Sequence, residues 1–267
     1  MARLTATILG CGSSGGVPRL GPNWGDCDPA NPKKRRRRCS LLLRREDAGG
    51  TTEVLIDTSP DLRDQLLDAG VSRLDAVVYT HAHADHIHGI DDLRGLAIKE
   101  RKRIDVYLDQ PTSARAHKAF DYCFVTPPGS GYPPILTEHR LHSGVPVTVT
   151  GAGGTIGILP FLQHHGEIDS LGFRIGPLAY LPDVADIPDA AWPALEGLDC
   201  WIVDALRRTP HPTHAHLAKT LDWIARAAPA RAVLTNMHVD MDYQTLCKDL
   251  PTGVIPGHDG LRLDFII

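Results

Sequence analysis

A cluster of metal-binding side chains directly follows an apolar run in the segment AVVYTHAHADHIHG. Residues 76–80 have the apolar and β-branched character of a buried strand. Four ligand-type residues then come within six positions: His81, His83, Asp85 and His86. Side chains two residues apart lie on the same side of an extended chain, so His81 and His83 can share one ion. Imidazole and carboxylate bind zinc, manganese and iron, and the segment predicts a metal site at the end of a strand.

Short β-prone runs recur along the chain and alternate with helical segments. The runs are residues 4–9, 40–44, 53–57, 74–80, 104–108, 145–149, 156–162, 171–175, 178–181, 200–204, 232–236 and 261–266. Clustered strands with helices between them predict sheets that pack together and are covered by helices. The chain has 267 residues, and we expect one α/β domain over residues 1–267.

Two segments carry clear helix signals. In SPDLRDQLLDAG, Ser59 is expected as the N-cap and Gly70 as the stop signal. In THAHLAKTLDWIARAAP, apolar residues recur at i, i+4 and i+7 from Leu217, and Pro229 follows the end. Both segments are therefore predicted to form helices that pack on a sheet.

The glycine-rich stretch TILGCGSSGGVP has the spacing of a dinucleotide-binding turn, G-x-G-x-x-G. Such a turn needs a helix that starts within the glycines, so that its N-terminus meets the pyrophosphate. Two X-Pro pairs follow instead, and no helical period appears before residue 59. We therefore do not expect a nicotinamide or flavin nucleotide.

Composition excludes several classes of protein. The formal net charge is −4, which does not favour a nucleic-acid coat, and no stretch of 18 apolar residues occurs. The six cysteines form no C-x-x-C pair and are expected to be reduced thiols. These features predict a soluble, cytoplasmic protein with no membrane association and no stable nucleic-acid partner.

The pattern T-H-x-H-x-D-H after a strand resembles the metallo-β-lactamase fold superfamily. The segment VLIDTSPDL matches the strand-then-aspartate element of that superfamily, with Asp57 in its place. The resemblance implies a four-layer αββα sandwich with a site for one or two metal ions.

The resemblance also implies the remaining metal ligands. His165 is favoured over His164 as the third imidazole, because His-Gly precedes a turn into the next strand. Asp183 is expected as a bridging carboxylate. His238 is assigned as the last ligand, since Asn236 stands where many relatives have a histidine.

The implied centre holds two divalent ions, zinc or manganese, with iron also accepted by this ligand set. One ion is expected on three imidazoles and the other on a carboxylate and two imidazoles, with Asp183 between the two. The first set is His81, His83 and His165. The second set is Asp85, His86 and His238.

The Gly/Ser loop resembles that of the phosphodiesterase branch, which includes ribonuclease Z and the phosphoribosyl cyclic phosphodiesterases of the carbon–phosphorus lyase pathway. The C-terminal HDGL segment adds to this likeness. The branch implies that the loop approaches a metal-bound phosphate through Gly12, Ser13 and Ser14. A tight turn between strands is the alternative interpretation.

The segment RRTPHPTHAHLAKTL matches the place where this branch has a histidine that donates a proton to the leaving oxygen. His214 fits that role best and His211 second; ordinary polar residues at a helix start are the alternative. In RRRRCSLLL, Arg37 or Arg38 either binds a second phosphate through a bidentate fork or belongs to a solvated loop.

Together these features predict a dinuclear hydrolase that cleaves a small phosphodiester, favoured as a cyclic ribose phosphate or nucleotide-like molecule, by attack of a metal-bridging hydroxide. His214, Asp85 and His211 are the expected catalytic residues. The alternatives are a ribonuclease Z-like nuclease, a thioesterase or lactonase of the same fold, and a metal-binding module without turnover. The apolar segment 123–136 fits either a pocket lid or a homodimer contact.

Overall fold

Two seven-stranded sheets pack face to face in the computed structural model, which describes residues 2–267. The first sheet contains, in spatial order, β14 (Arg262–Ile266), β1 (Arg3–Gly10), β2 (Ser40–Asp47), β3 (Gly50–Ile56), β4 (Ala76–Val78), β5 (Ile104–Leu108) and β6 (Leu136–Arg140). The second contains β13 (Val254–Pro256), β12 (Arg231–Thr235), β11 (Cys200–Asp204), β10 (Leu178–Leu181), β9 (Ile168–Ile175), β8 (Gly154–His165) and β7 (Val147–Gly151). Each sheet is antiparallel on one side and parallel on the other.

Helices cover the outer face of each sheet. The α-helices are α1 (Leu62–Asp68), α2 (Ala84–Ile87), α3 (Arg94–Glu100), α4 (Gln110–Phe124), α5 (Leu217–Ala227) and α6 (Tyr243–Asp249). Short 3₁₀ turns lie at Pro32–Lys34, Ile90–Leu93 and Asp189–Leu195. Apolar residues of α1, α3 and α4 join the core on the first sheet, and those of α5 and α6 join the core on the second. The predicted four-layer αββα sandwich is confirmed.

The central strands show why both faces of a sheet are buried. In β2, Leu41 and Leu43 belong to the core between the sheets, whereas Leu42 belongs to the core under the helices. Because side chains alternate across a strand, an unbroken apolar run is what a strand covered on both faces requires. This pattern fixes the register that brings the strand ends together.

The sequence predictions hold for most strands and differ at the short ones. The strands β6 and β13 fall outside the predicted runs. Helix α1 begins at Leu62, and Asp61 rather than Ser59 is its N-cap; the Ser59 hydroxyl accepts from the backbone N–H of Asp61 at 3.1 Å and donates to Gln65 Oε1 at 2.8 Å. Gly70 ends the turn with a φ of +64°, as expected.

Two structural findings bear on the sequence expectations about disulfides and membranes. The six cysteines are all free thiols. Among residues 2–267, none of the helices combines the length and the apolar character that crossing a bilayer requires. The cytoplasmic location stays a prediction.

The loop between β1 and β2 is fixed against the C-terminal part of the chain by two buried cations. Arg36 is 1% exposed and donates to the carbonyl oxygen of Met241 at 2.7 Å. Lys34 is 2% exposed and forms an ion pair with Asp242, the residue that caps α6. Burial alone raises the pKa of Asp242, but hydrogen bonds from Lys34 and Thr245 outweigh it and lower the pKa to about 2.

Asp242→Asn is expected to lower the free energy of unfolding by about 3 kcal/mol at neutral pH, because it leaves the buried Lys34 ammonium with only the exposed Asp28 carboxylate, 4.0 Å away, as a counter-charge. A carboxylate with a lowered pKa stabilises the fold above about pH 4, its ordinary range, and this stabilisation is lost as the pH falls toward 2. The difference between variant and wild type should therefore shrink below about pH 4. Chemical denaturation across this pH range measures it.

Asp222→Asn, which changes an exposed carboxylate on α5, is the matched control and should shift the free energy of unfolding by less than about 0.5 kcal/mol. Equal unfolding midpoints for Asp242→Asn and wild type at neutral pH would contradict the anchoring role of the Lys34–Asp242 pair.

Candidate metal centre

The site lies where strands from both sheets end. Ligand-type or proton-binding residues follow β3, β4 and β10 and close β8 and β11. Parallel neighbouring strands bring their carboxyl ends to the same edge, which is where ligands bind in α/β proteins. The residues brought together are Asp57, His81, His83, Asp85, His86, His165, Asp183 and Asp204.

Three imidazole nitrogens converge on one point. His81 Nε2 lies 3.0 Å from His83 Nδ1, and His165 Nε2 lies 3.2 Å from the same His83 nitrogen. Four ligands at 2.0–2.1 Å from a tetrahedral zinc ion lie about 3.3 Å apart, so the spacing suits a shared cation. His164 is exposed and pairs with Asp169 at 2.8 Å, so the structure brings His165 and not His164 into the cluster.

A second group of ligand atoms adjoins the first. His86 Nε2 lies 3.0 Å from Asp183 Oδ2 and 3.4 Å from Asp85 Oδ2. Both His86 Nε2 and Asp183 Oδ2 are buried without a hydrogen-bond partner in the structure. Buried polar atoms are normally paired, and two orphaned acceptors that face each other indicate a cation between them. His81 and Asp183 each take part in two of the close ligand groups, so the cluster is continuous.

Hydrogen bonds on the far side of each ring orient the ligands. His86 Nδ1 donates to Asp57 Oδ2 at 2.7 Å, and His165 Nδ1 donates to the carbonyl oxygen of Thr213 at 2.6 Å. The Thr80 hydroxyl donates to Asp57 at 2.8 Å and accepts from His81 Nδ1 at 2.9 Å. These bonds fix the tautomers that leave the other nitrogen free, as ligating histidines require.

The electrostatics match this assignment. Burial lowers the pKa of His81, His83 and His165, so these rings stay neutral with a lone pair available. Burial also opposes protonation of His86, but the surrounding carboxylates, Asp183 first, outweigh it and raise its pKa. The carboxylates therefore stabilise a positive charge at this position, and a divalent ion neutralises their negative charge better than one proton does. The residues fit a divalent metal ion; its identity and the number of ions stay predictions.

An Asp–His pair stands beside the ligands. His214 Nδ1 donates to Asp204 Oδ2 at 2.9 Å and lies 3.7 Å from Asp183 Oδ1. Asp204 is fully buried, which raises its pKa to about 7. Burial opposes the charge on His214, but Asp204 outweighs it and raises the pKa of His214 to about 9. At neutral pH the His214 ring is therefore in its protonated, positively charged form, and it lies at the wall of the cavity.

A cavity of about 640 Å³ opens over the cluster and is rich in cationic and hydrogen-bonding groups. Ser13 Oγ is buried without a partner, and Ser14 lies beside it on the wall. Arg19 lines the cavity with no carboxylate partner among residues 2–267, and Arg207 donates only to backbone carbonyl oxygens. His211 also lines the wall. The cavity suits an anionic ligand.

Some predicted site residues lie elsewhere. Arg37 pairs with Asp68 and Asp259, which puts it outside this cavity, and Gly12 is a packing glycine because a Cβ there would lie 2.9 Å from Arg36. Arg38 pairs with Asp61 at 3.0 Å and borders an adjoining cavity that shares Ser14 and Arg19 with the first. Neither Arg37 nor Gly12 is placed to touch a substrate in the main cavity.

The assignment of His238 as the last ligand stays a prediction. His238 Nδ1 lies 3.2 Å from Asp240. Like Asp85, His238 lines the main cavity but is absent from the close ligand groups of the described residues. Asn236 has a φ of +59°, which turns the chain after β12 and directs the Asn236 amide to Asp183 at 3.2 Å. Asn236, directly after the strand, therefore faces the ligand cluster, and His238, two residues later, lines the cavity.

Sequence reasoning missed Arg19, Arg207 and Asp204. Asp204 closes an apolar run, CWIVD, in the same strand-then-aspartate pattern as Asp57, and that signal was available. The two arginines carry no local signal, because only the tertiary fold shows that they line the cavity.

Comparisons with known proteins agree with this geometry. The family model described as a beta-lactamase superfamily domain matches residues 52–237. A crystal structure of a new diphosphatase from the PhnP family has a TM-score of 0.87 and 36% identity, covering 99% of this chain and 98% of that one. Zn²⁺-bound PqqB from Methylobacterium extorquens has a TM-score of 0.73 at 18% identity, covering 98% of this chain and 100% of that chain, which is a likeness of fold.

One curated relative carries a different name. The octanoyltransferase of Porphyromonas gingivalis (strain ATCC BAA-308 / W83) is 33% identical over 257 residues, which are 96% of this chain and 50% of that protein. The chain therefore spans about half the length of this relative.

Asp57→Asn is expected to weaken metal binding by roughly 10- to 100-fold, because it removes the acceptor that holds His86 with Nε2 toward the ion. Metal titration of the stripped protein measures this change. Asp105→Asn, which disturbs a surface Asp–His pair of 2.9 Å to His139, is the matched control and should leave the affinity unchanged. Wild-type affinity in Asp57→Asn would show that this hydrogen bond does not set the ligand geometry.

Proposed function

The chain belongs to the family described as a beta-lactamase superfamily domain, a fold family of metal-dependent hydrolases, and within it to the PhnP family. On this premise, we propose that it hydrolyses a phosphorus–oxygen bond of a small phosphorylated molecule. The favoured substrate is a phosphodiester with a sugar leaving group, such as a cyclic ribose phosphate. When bound, divalent ions would activate water and draw charge from phosphoryl oxygens. His81, His83, Asp85, His86, His165 and Asp183 would hold them.

The observation that carries this proposal is the Asp204–His214 pair. A sugar alkoxide is a poor leaving group, and its departure needs a proton from a positioned acid. His214 is held by Asp204 at 2.9 Å, and its raised pKa of about 9 keeps the ring protonated at neutral pH. Hydrolysis of a thioester or an activated lactone has less need of such a donor.

The walls of the cavity support an anionic substrate. Arg19 and Arg207 bring positive charge that no carboxylate neutralises among residues 2–267, and Ser13 Oγ is an unused hydrogen-bonding group. Guanidinium and hydroxyl groups bind phosphate oxygens through charge-assisted hydrogen bonds. A second phosphate on the substrate would reach the adjoining cavity, where Arg38 lies with Arg19.

A diphosphate is the second candidate substrate, because the relative with 36% identity is a diphosphatase. Its leaving group is a phosphate, which departs with little protonation. Octanoyl transfer is not proposed, because an octanoyl chain needs an apolar channel. Of the residues that line the main cavity, only Ala84 and Leu206 are apolar. A tRNA substrate is not proposed either, because the formal net charge is −4.

A substrate panel tests the proposal. Manganese-loaded protein is incubated with bis(p-nitrophenyl) phosphate, a 2′,3′-cyclic nucleotide, a ribose cyclic phosphate, inorganic diphosphate, a thioester and a lactone, with His81→Ala as the metal-free control. We expect metal-dependent cleavage of the diesters. Turnover of diphosphate alone would favour the second candidate, and turnover of only the thioester or lactone would refute cleavage of a phosphorus–oxygen bond.

His214→Gln is expected to retain its metal and to lower kcat by about 10²- to 10⁴-fold on a substrate with a sugar leaving group. The loss should be much smaller on bis(p-nitrophenyl) phosphate, because p-nitrophenolate departs without protonation. His211→Gln changes a neighbouring ring of the same cavity and should cost less than His214→Gln. Equal losses by His214→Gln on both kinds of leaving group would contradict the role of proton donor.

A further inference from the structure

An open groove of about 540 Å³ lies between the end of α3 and the segment that precedes β6. Its apolar walls are formed by Ala97, Ile98, Pro133, Pro134 and Ile135. The strands β4, β5 and β6 run parallel; the metal centre follows the carboxyl end of β4, whereas the groove precedes the amino ends of β5 and β6. The groove therefore lies at the opposite end of the sheet, and it shares no lining residue with the main cavity.

Backbone hydrogen bonds hold the groove in shape. The backbone N–H of Ile104 donates to the carbonyl oxygen of Ile135 at 2.9 Å, and that of Ile135 donates to Cys123 at 2.9 Å. The chain leaves α3 in a turn in which the N–H of Lys102 donates to the carbonyl oxygen of Ala97 at 3.2 Å. Both walls are thus fixed to the sheet, and a ligand finds the groove already formed.

Three consecutive cations line one side of the groove: Arg101, Lys102 and Arg103. All three are exposed, and none of the carboxylates among residues 2–267 forms an ion pair with them. Glu100, the acidic residue of the same stretch, is not within ion-pairing distance of them either. The chain has a formal net charge of −4, so this local excess of positive charge is complementary to an acidic ligand.

The backbone at Arg101 keeps one of these charges in place. Arg101 directly follows α3 with a φ of +52° and a ψ of +34°, the left-handed conformation in which helices commonly end with glycine. An arginine there is more strained than a glycine would be. The position therefore holds a cationic side chain at the groove where the backbone alone favours a residue without one.

Large apolar side chains border the cations and stay exposed to solvent. Ile98 is 61% exposed, and Tyr132, directly before Pro133, is 74% exposed. Tyrosine and arginine are enriched where proteins bind one another. Pro133 and Tyr132 belong to the apolar segment 123–136, none of which lines the main cavity. This surface thus combines an apolar groove with a row of unpaired cations.

We propose that the groove is a docking site for an extended acidic segment of a partner protein, with an apolar side chain of the segment in the groove and its carboxylates on Arg101, Lys102 and Arg103. The volume falls within the range of about 300–1,000 Å³ of sites that enclose a small ligand, so it suits a short segment rather than the face of a domain. A two-fold contact with a second copy would set the same three cations against each other. This inference goes beyond the hydrolase activity and does not depend on it.

Selection of random peptides displayed on phage against the folded full chain tests the proposal. Depletion on Ile98→Asp, which places a carboxylate at the wall of the groove, retains only peptides that need this wall. We expect an enriched consensus in which an apolar residue is flanked by aspartate or glutamate. No enrichment after depletion, or a consensus without acidic residues, would overturn the proposal.

Fluorescence anisotropy with the enriched peptide measures the contribution of the charges. Arg101→Gly should weaken binding by about 2- to 5-fold, the contribution of one exposed ion pair, and should keep the fold because glycine suits this backbone. Lys248→Gln removes an exposed positive charge on α6 and, as the matched control, should bind the peptide like wild type. Wild-type affinity in Arg101→Gly would overturn the proposal.

Ile98→Asp should weaken binding by roughly 10-fold or more, because it removes an apolar contact and repels the carboxylates of the peptide. Val145→Asp changes another exposed apolar residue and should bind like wild type. Circular dichroism verifies folding; if Ile98→Asp is unfolded, depletion uses Arg101→Gly. Binding to phosphatidylserine vesicles in place of the peptide, or a dimer that Arg101→Gly dissociates, would assign the groove to a membrane or a second copy and overturn the proposal.

Discussion

The carboxylate of Asp57 is the point on which the geometry of the centre depends. Its backbone has a φ of +64° directly after β3, a conformation that points the side chain across to the next strand end. There it accepts from the backbone and hydroxyl of Thr80 at 2.8 Å and from His86 at 2.7 Å. One buried group therefore sets the tautomer of His86 and, through Thr80, that of His81. The strand ends become a metal site because this bond network fixes where their lone pairs point.

Charge explains why the cluster is built as it is. Four carboxylates lie close together: Asp85 and Asp183 line the cavity, and Asp57 and Asp204 are buried behind it. Buried negative charges of this number are costly unless cations compensate them. A proton on His214 compensates Asp204, and a divalent ion would compensate the rest. The same imbalance that favours a metal ion thus also favours a protonated His214 beside it, and the proposed phosphoester hydrolysis needs both in one site.

The sequence revealed the parts of the site that are local. The motif from His81 to His86 is contiguous, and His165 was found because His-Gly precedes a turn between strands. The long-range contacts were not predicted from the sequence. Arg37 and Arg38 pair with the carboxylates of Asp61, Asp68 and Asp259, and no residues near them in the chain predict those pairs. His238 was assigned by residue type, and the backbone turn at Asn236, with its φ of +59°, is not visible in the sequence. The strands β6 and β13 were missed because they are short and only partly apolar.

Anomalous diffraction from crystals of the manganese-loaded protein tests the central claim most directly, namely that the buried His/Asp cluster is a metal centre. The account predicts an anomalous peak within bonding distance of His81, His83, His165 and Asp183, with any second peak beside Asp85 and His86. A loaded crystal with no peak at this cluster, or with peaks only outside it, would contradict it.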